Sequence, residues 1–155
     1  MTRESNAVGE VITFSIPSRL ELLPVLDRLM QGIAEQMEFD EDTAGEVAIS
    51  VIEAGTNAIQ HGHGHDPLKP VAFRFELYPE HLRVCVTDTG PGFNLADVTI
   101  SDPTSPEDLM KSRGRGIFIM RRMMDAVDFE IDPKKGTRVF LTKFKRVNGR
   151  ATAAS

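Results

Sequence analysis

The chain has 155 residues, enough for one domain whose core buries about 68–70% of the unfolded surface. It carries 23 acidic and 18 basic residues, a net charge of −5, which argues against a general nucleic-acid or anionic-membrane binder. Cys85 is the only cysteine, so no internal disulfide framework exists; no apolar run approaches the roughly 18 residues of a membrane span and MTRESNAVGE lacks a signal-peptide core, so a cytoplasmic domain is expected.

Residues 1–9 and 147–155 are polar and patternless and are expected to be flexible ends around a domain at 10–146. Val11–Ile16 alternates as a strand, with Ile12, Phe14 and Ile16 on one side. From about Leu20 to Met37 a helix is expected, because Leu20, Leu23, Leu26, Met30, Ile33 and Met37 form one stripe. Pro24 leaves its start open between Arg19 and a restart near Leu23. A second helix runs from an Asp40 N-cap to about His61. Its apolar stripe is Ala44, Val47, Ala48, Val51, Ile52, Ala58 and Ile59; a second stripe, Glu46, Ser50, Glu53, Asn57 and His61, is polar.

Strands at Val71–Tyr78 and Leu82–Asp88 suit a hairpin, and Asp88 continues the parity of Leu82, Val84 and Val86. Residues 94–113 read as a long loop of the lid or binding kind. Gly114–Asp125 is a third helix with Ile117, Met120, Met124 and Val127 in step. Asp128–Ile131 and Thr137–Phe144 form a second hairpin. The pattern predicts an α+β fold, a two-layer sandwich with three helices on one face of a mixed, mostly antiparallel sheet.

Three segments carry chemistry. Glu53 and Asn57 are one helical turn apart, so a carboxylate able to take a proton sits beside an amide oxygen suited to Mg²⁺. The same pair also fits a solvated helix face, although Gly55 in the helix interior suggests that something approaches closely. Asp88-Thr-Gly90-Pro-Gly92-Phe93 ends a strand: if its face meets the helices, Asp88 is partly buried and needs a donor, for which an adenine amine would serve. Taken alone, that segment reads better as a turn between elements. Gly114-Arg115-Gly116-Ile117 opens a helix, where free backbone N–H groups attract phosphate.

In this order the segments resemble the GHKL (Bergerat-fold) ATPase superfamily and, within it, the stand-alone anti-sigma factor serine/threonine-protein kinases. The resemblance spans residues 12–144 and rests on Glu53, Asn57, His61 and Gly62, on Asp88, Gly90, Gly92 and Phe93, on Gly114, Gly116 and the IFIMRRMMDAVDF run, and on Gly136-Thr137. It implies ATP and Mg²⁺ bound between helices and sheet under a lid at about 94–113. Asp88 would receive the adenine amine, Asn57 would hold Mg²⁺, and Glu53 would be the general base on a protein hydroxyl. His61, Gly90, Gly92, Phe93, Ile117 and Thr137 would complete the nucleotide site, with Gly114 and Gly116 on phosphate. A cation on the γ-phosphate is expected from Lys111, Arg113 or Arg115.

The implied function is transfer of the ATP γ-phosphoryl group to a small STAS-type anti-sigma factor antagonist by a homodimer that also binds a sigma factor. The alternatives are the catalytic domain of a sensor histidine kinase and a non-catalytic, ATP-gated binding module. The stretch before Val11 is too short for the dimerising helices of a sensor kinase, which survives only if the chain is a fragment. His61, His63 and His65 alternate in HGHGH, but are expected to lie in a mobile glycine loop with His61 alone near the nucleotide, not in a zinc site. Lys134, Lys135, Arg138, Lys143, Lys145 and Arg146 are expected on a solvated hairpin, and Cys85 as a packed thiol.

Overall fold

A computed structural model describes residues 9–98, 112–147 and 150–151. Strand β1 spans Glu10–Ile16, and a single 3₁₀ turn at Leu20–Leu22 leads into helix α1, Leu23–Met37. Pro24 falls in the first turn of α1, where its missing N–H costs nothing, which resolves the start in favour of Leu23. The helix ends at Glu38, in the left-handed conformation at φ 59°. Helix α2 spans Glu41–Asn57, and Asp40 caps it by accepting the Thr43 N–H at 2.7 Å. One π turn, Ala58–Gly62, extends it.

Strands β2 (Val71–Leu77) and β3 (His81–Asp88) form the first hairpin. Helix α3, Ser112–Met123, begins two residues before the expected glycine and leads to β4 (Ala126–Asp132) and β5 (Gly136–Phe144). Val127, expected in step with α3, instead lies on β4, because the helix stops at Met123 and Met124 is its last buried contact. Most of the expected lid, residues 99–111, lies outside the described residues; next to it, Leu95–Asp97 forms a 3₁₀ turn.

The sheet order is β1-β2-β3-β5-β4, and all four pairings are antiparallel. The chain crosses from β3 through α3 to the far edge, then inserts β5 beside β3. The core lies between the sheet and the helices: Leu26, Met30, Ile33 and Met37 of α1 and Val47, Val51 and Ala54 of α2 meet Phe73, Phe75, Leu82, Val84 and Leu141. This is the expected α+β sandwich, with a sheet that is antiparallel throughout rather than mixed, because no crossover in it returns a strand parallel to its neighbour. At the end of the expected domain Arg146–Val147 pairs with Arg150–Ala151 of the expected C-terminal tail.

Candidate active site

Within the polar stripe Glu46, Ser50, Glu53 and Asn57 are buried or half-buried while His61 is exposed, and the stripe divides into two functions. At its N-terminal end Glu46 pairs with Lys143 at 2.8 Å and with Arg146 at 3.1 Å. Lys143 is 2% exposed and also donates to the Met123 carbonyl at 2.5 Å, so it ties the C-terminal end of α3 to α2. The expectation that the whole basic run is solvated therefore fails at Lys143, which faces inward on β5 with Thr137, Val139 and Leu141. Ser50 is buried and turns its hydroxyl back to the Glu46 carbonyl.

Glu53 and Asn57 occupy the other half, against the glycine-rich start of α3. A Cβ built on Gly116 would sit 3.0 Å from Glu53 Oε1 and 3.1 Å from Asn57 Nδ2, so only glycine lets this helix approach the pair without displacing it. Burial pushes the Glu53 carboxyl above its ordinary range, opposed by the charge of Arg115. A raised carboxyl is a stronger base once deprotonated.

The next wall comes from the sheet. Asp88 is buried at the end of β3, as its parity requires, and stands opposite Thr137 of β5 in the ladder. Its Oδ1 accepts the Gly90 N–H at 2.9 Å. Gly62 presses on the carboxylate from the π turn: a Cβ there would lie 2.5 Å from Asp88 Cγ. Gly90 is packed equally tightly against the Gly62 backbone, and Gly92 adopts φ +76° beside Ile131. The turn at 88–92 is thus also one wall of a pocket lined by Asn57, Asp88, Phe93, Arg113 and Thr137.

The Arg113 guanidinium lies 3.9 Å from the Phe93 ring centroid, and Phe93 meets Phe129 edge-on at 5.9 Å. Arg113 Nε is buried with no hydrogen-bond partner among the described residues. Burial lowers its pKa, while Asp88 acts in the opposite sense. The free space inside is ≈ 20 Å³, room for about one water.

His61 is exposed, with Nε2 2.8 Å from the Ser112 hydroxyl at the start of α3; burial first, then the charges of Arg113 and His65, lower its pKa. Gly114 is buried in the first turn of α3, Arg115 is half-buried, and Ile117 has no exposed surface. Ile117 belongs to the core and exposes neither side chain nor backbone. Lys111 lies outside the described residues. His63 is not in a loose loop: it is 5% exposed and bonded to Thr89. Cys85 is half-buried, with its thiol pushed up by burial.

The apolar lining, Ala54, Ala58, Val86, Met120, Phe129 and Val139, was not singled out in the sequence. Val86 could have been, because it shares the face of Asp88; Phe129 could not, since only the crossover brings β4 to the site.

An acid–amide pair under a glycine-rich helix start, beside a buried strand-end aspartate, offers a base, a ligand for a hard cation and an acceptor for a polar hydrogen within one site. The family model of the histidine kinase-like ATPase domain matches residues 16–143. A serine-protein kinase RsbW of Bacillus licheniformis is 32% identical over 140 residues, covering 88% of this chain and 86% of that protein. The Bacillus subtilis serine-protein kinase RsbW is 28% identical over 140 residues, with the same coverage. The chain belongs to the RsbW serine-protein kinase family of histidine kinase-like ATPases. Its fold is similar to the crystal structure of the RsbU and RsbW domains of a Mycobacterium tuberculosis protein, at TM-score 0.64 and 14% identity, covering 93% of this chain and 35% of that one.

The residues fit the ligands this class implies. The missing Cβ of Gly116 leaves a cradle beside a carboxylate and an amide oxygen, a donor set suited to a hard cation that keeps water and phosphate ligands. The unpartnered Arg113 Nε suits a phosphate oxygen. No described helix is long and apolar enough to cross a membrane.

Proposed function

We propose that this chain is a cytoplasmic, homodimeric ATP-dependent protein serine/threonine kinase and anti-sigma factor. It phosphorylates a STAS-type anti-sigma factor antagonist and sequesters a sigma factor, binding neither nucleic acid nor membrane directly. The observation that carries this reading is the Glu53–Asn57 pair held against Gly116 beside the Asp88 pocket.

Asp88 receives the adenine amine through the carboxylate left half-satisfied by Gly90, and Thr137 lies beside it. Gly90, Gly92 and Phe93 shape the base pocket, with Ile117 packed in the core behind α3. Gly114 offers the N–H of the first turn of α3 to phosphate, and Gly116, one turn into the helix, lets the phosphate approach without a side chain in the way. Asn57 would hold Mg²⁺, which when bound would neutralise charge on the phosphates. His61, Arg113 and Arg115 surround the phosphate end, and the cation on the γ-phosphate is one of Lys111, Arg113 and Arg115. Glu53 takes the proton of the acceptor hydroxyl as its oxygen bonds to the γ-phosphorus and the bridging bond to ADP breaks. Most of this catalysis is positioning and charge stabilisation.

The test is transfer from Mg²⁺–ATP to the antagonist, mapped by mass spectrometry, in native protein and Glu53→Ala. Loss of transfer with retained nucleotide binding is expected. Transfer at the native rate in Glu53→Ala removes Glu53 as the base.

A further inference from the structure

His63 follows the π turn that ends α2, and both of its ring nitrogens are used. Nε2 accepts the backbone N–H of Thr89 at 2.9 Å and lies 3.2 Å from the Thr89 hydroxyl. Nδ1 lies 2.9 Å from the hydroxyl of Ser18, a residue with no exposed surface. That hydroxyl donates to the Lys69 carbonyl at 2.5 Å. A backbone N–H can only donate, so Nε2 is the acceptor and the ring proton sits on Nδ1. The single proton of Ser18 is committed to Lys69, so Ser18 accepts from Nδ1. The bonds therefore run one way, from Thr89 through His63 and Ser18 to Lys69, and require the Nδ1–H tautomer.

Thr89 lies between Asp88 and Gly90, at a point where β3 has ended and the ladder no longer holds the backbone. Gly62 contacts the Asp88 carboxylate directly, and His63 grips the next peptide N–H. Two consecutive residues after α2 thus hold the 88–90 turn from one side, while Gly136 of β5 closes on the Asp88 carbonyl from the other.

We propose that His63 is a positioning residue of the nucleotide site. By accepting the Thr89 N–H through Nε2, it holds the Asp88 carboxylate in the orientation that receives the exocyclic amine of adenine. The inference rests on the reading of Asp88 as the adenine acceptor. A merely structural histidine would need both nitrogens equally, whereas a positioning one acts through Nε2.

Two amide replacements separate the nitrogens. His63→Gln places an amide oxygen near Nε2 and gives up the bond to Ser18; His63→Asn places an amide nitrogen near Nδ1 and gives up the bond to Thr89. ATP and GTP are titrated calorimetrically into the full chain and both variants, each first melted to verify folding. Native protein is expected to prefer ATP. The Gln variant keeps its ATP affinity within about twofold, while the Asn variant loses about five- to tenfold for ATP and little for GTP. Native protein without preference for ATP overturns the Asp88 reading, and the proposal with it. A native preference retained equally by both variants overturns the proposal alone. A readout that needs no variant is the long-range ¹H–¹⁵N imidazole spectrum of native protein, which should show His63 as Nδ1–H with Nε2 an acceptor. An Nε2–H tautomer overturns the proposal.

Discussion

Replacing Gly116 by alanine separates what α3 needs as a helix from what the site needs of it. Gly116 is an interior residue of α3, where glycine costs about 0.5–1 kcal/mol relative to alanine. On helix grounds the variant gains that amount, about 1–4 °C for a chain of this length. The new Cβ would stand 3.0 Å from Glu53 Oε1 and 3.1 Å from Asn57 Nδ2, a few tenths of an ångström inside comfortable contact. Both atoms end flexible side chains, so they rotate away at about 0.5–1.5 kcal/mol, and the two effects nearly cancel. Catalysis does not average in this way, because the displaced atoms belong to the base and the Mg²⁺ ligand. A misplacement of about 1 Å can cost 10²-fold, so a shift of a few tenths should cost roughly tenfold in phosphoryl transfer. Thermal melts and single-turnover transfer from labelled ATP to the antagonist measure the two sides. Gly116→Ala transferring at the native rate with an unchanged melt would refute the claim that the α3 backbone holds the pair. A melt lowered by more than about 5 °C would refute the claim that the side chains can yield.

Mg²⁺–ATP at about a hundred times its Kd should stabilise native protein by about 2.7 kcal/mol, an upward shift of about 5–10 °C, and Asp88→Asn should lose most of it; an equal shift in both rules out Asp88 as the base contact. Because burial raises the Glu53 carboxyl, transfer should fall on acidification through a limb above the ordinary carboxylate range. The folded state holds that proton more tightly than the unfolded one, so Glu53 lowers stability as pH rises through its folded pKa. Glu53→Gln should therefore be inactive yet melt at or above the native temperature at neutral pH; a lower melt contradicts this sign. Lys143→Met leaves Glu46 with Arg146 alone and the Met123 carbonyl without its donor, and should cost about 2–3 kcal/mol in urea unfolding. A loss under about 0.5 kcal/mol would show that the pair is not holding α3 to α2.

The site was more legible than its supports. Asp88 could be placed by parity because Leu82, Val84 and Val86 are uniformly apolar on one face, and alternation is a local property of the strand. Glu53 and Asn57 could be placed together because 3.6 residues per turn leaves no other arrangement. His63 and Lys143 were misjudged for a shared reason. Each belongs to a run of similar residues, HGHGH or the basic stretch after Pro133, and composition assigns such a run one fate. Burial then selects individual members according to what lies across from them: Thr89 and Ser18 for His63, Glu46 and the end of α3 for Lys143.

What the sequence determined by itself was therefore local: the caps and stripes of the helices, the faces of the strands, the acid–amide pair, and the motif order by which the family was recognised. The tertiary structure alone decided the strand order that sets β5 between β3 and β4 and brings Thr137 opposite Asp88. It also decided which half of the α2 polar stripe meets the glycines of α3 and which half meets Lys143. The reason is physical: periodicity reports the direction of a side chain relative to its own backbone, whereas burial, pairing and pKa depend on residues from 20 to nearly 100 positions away.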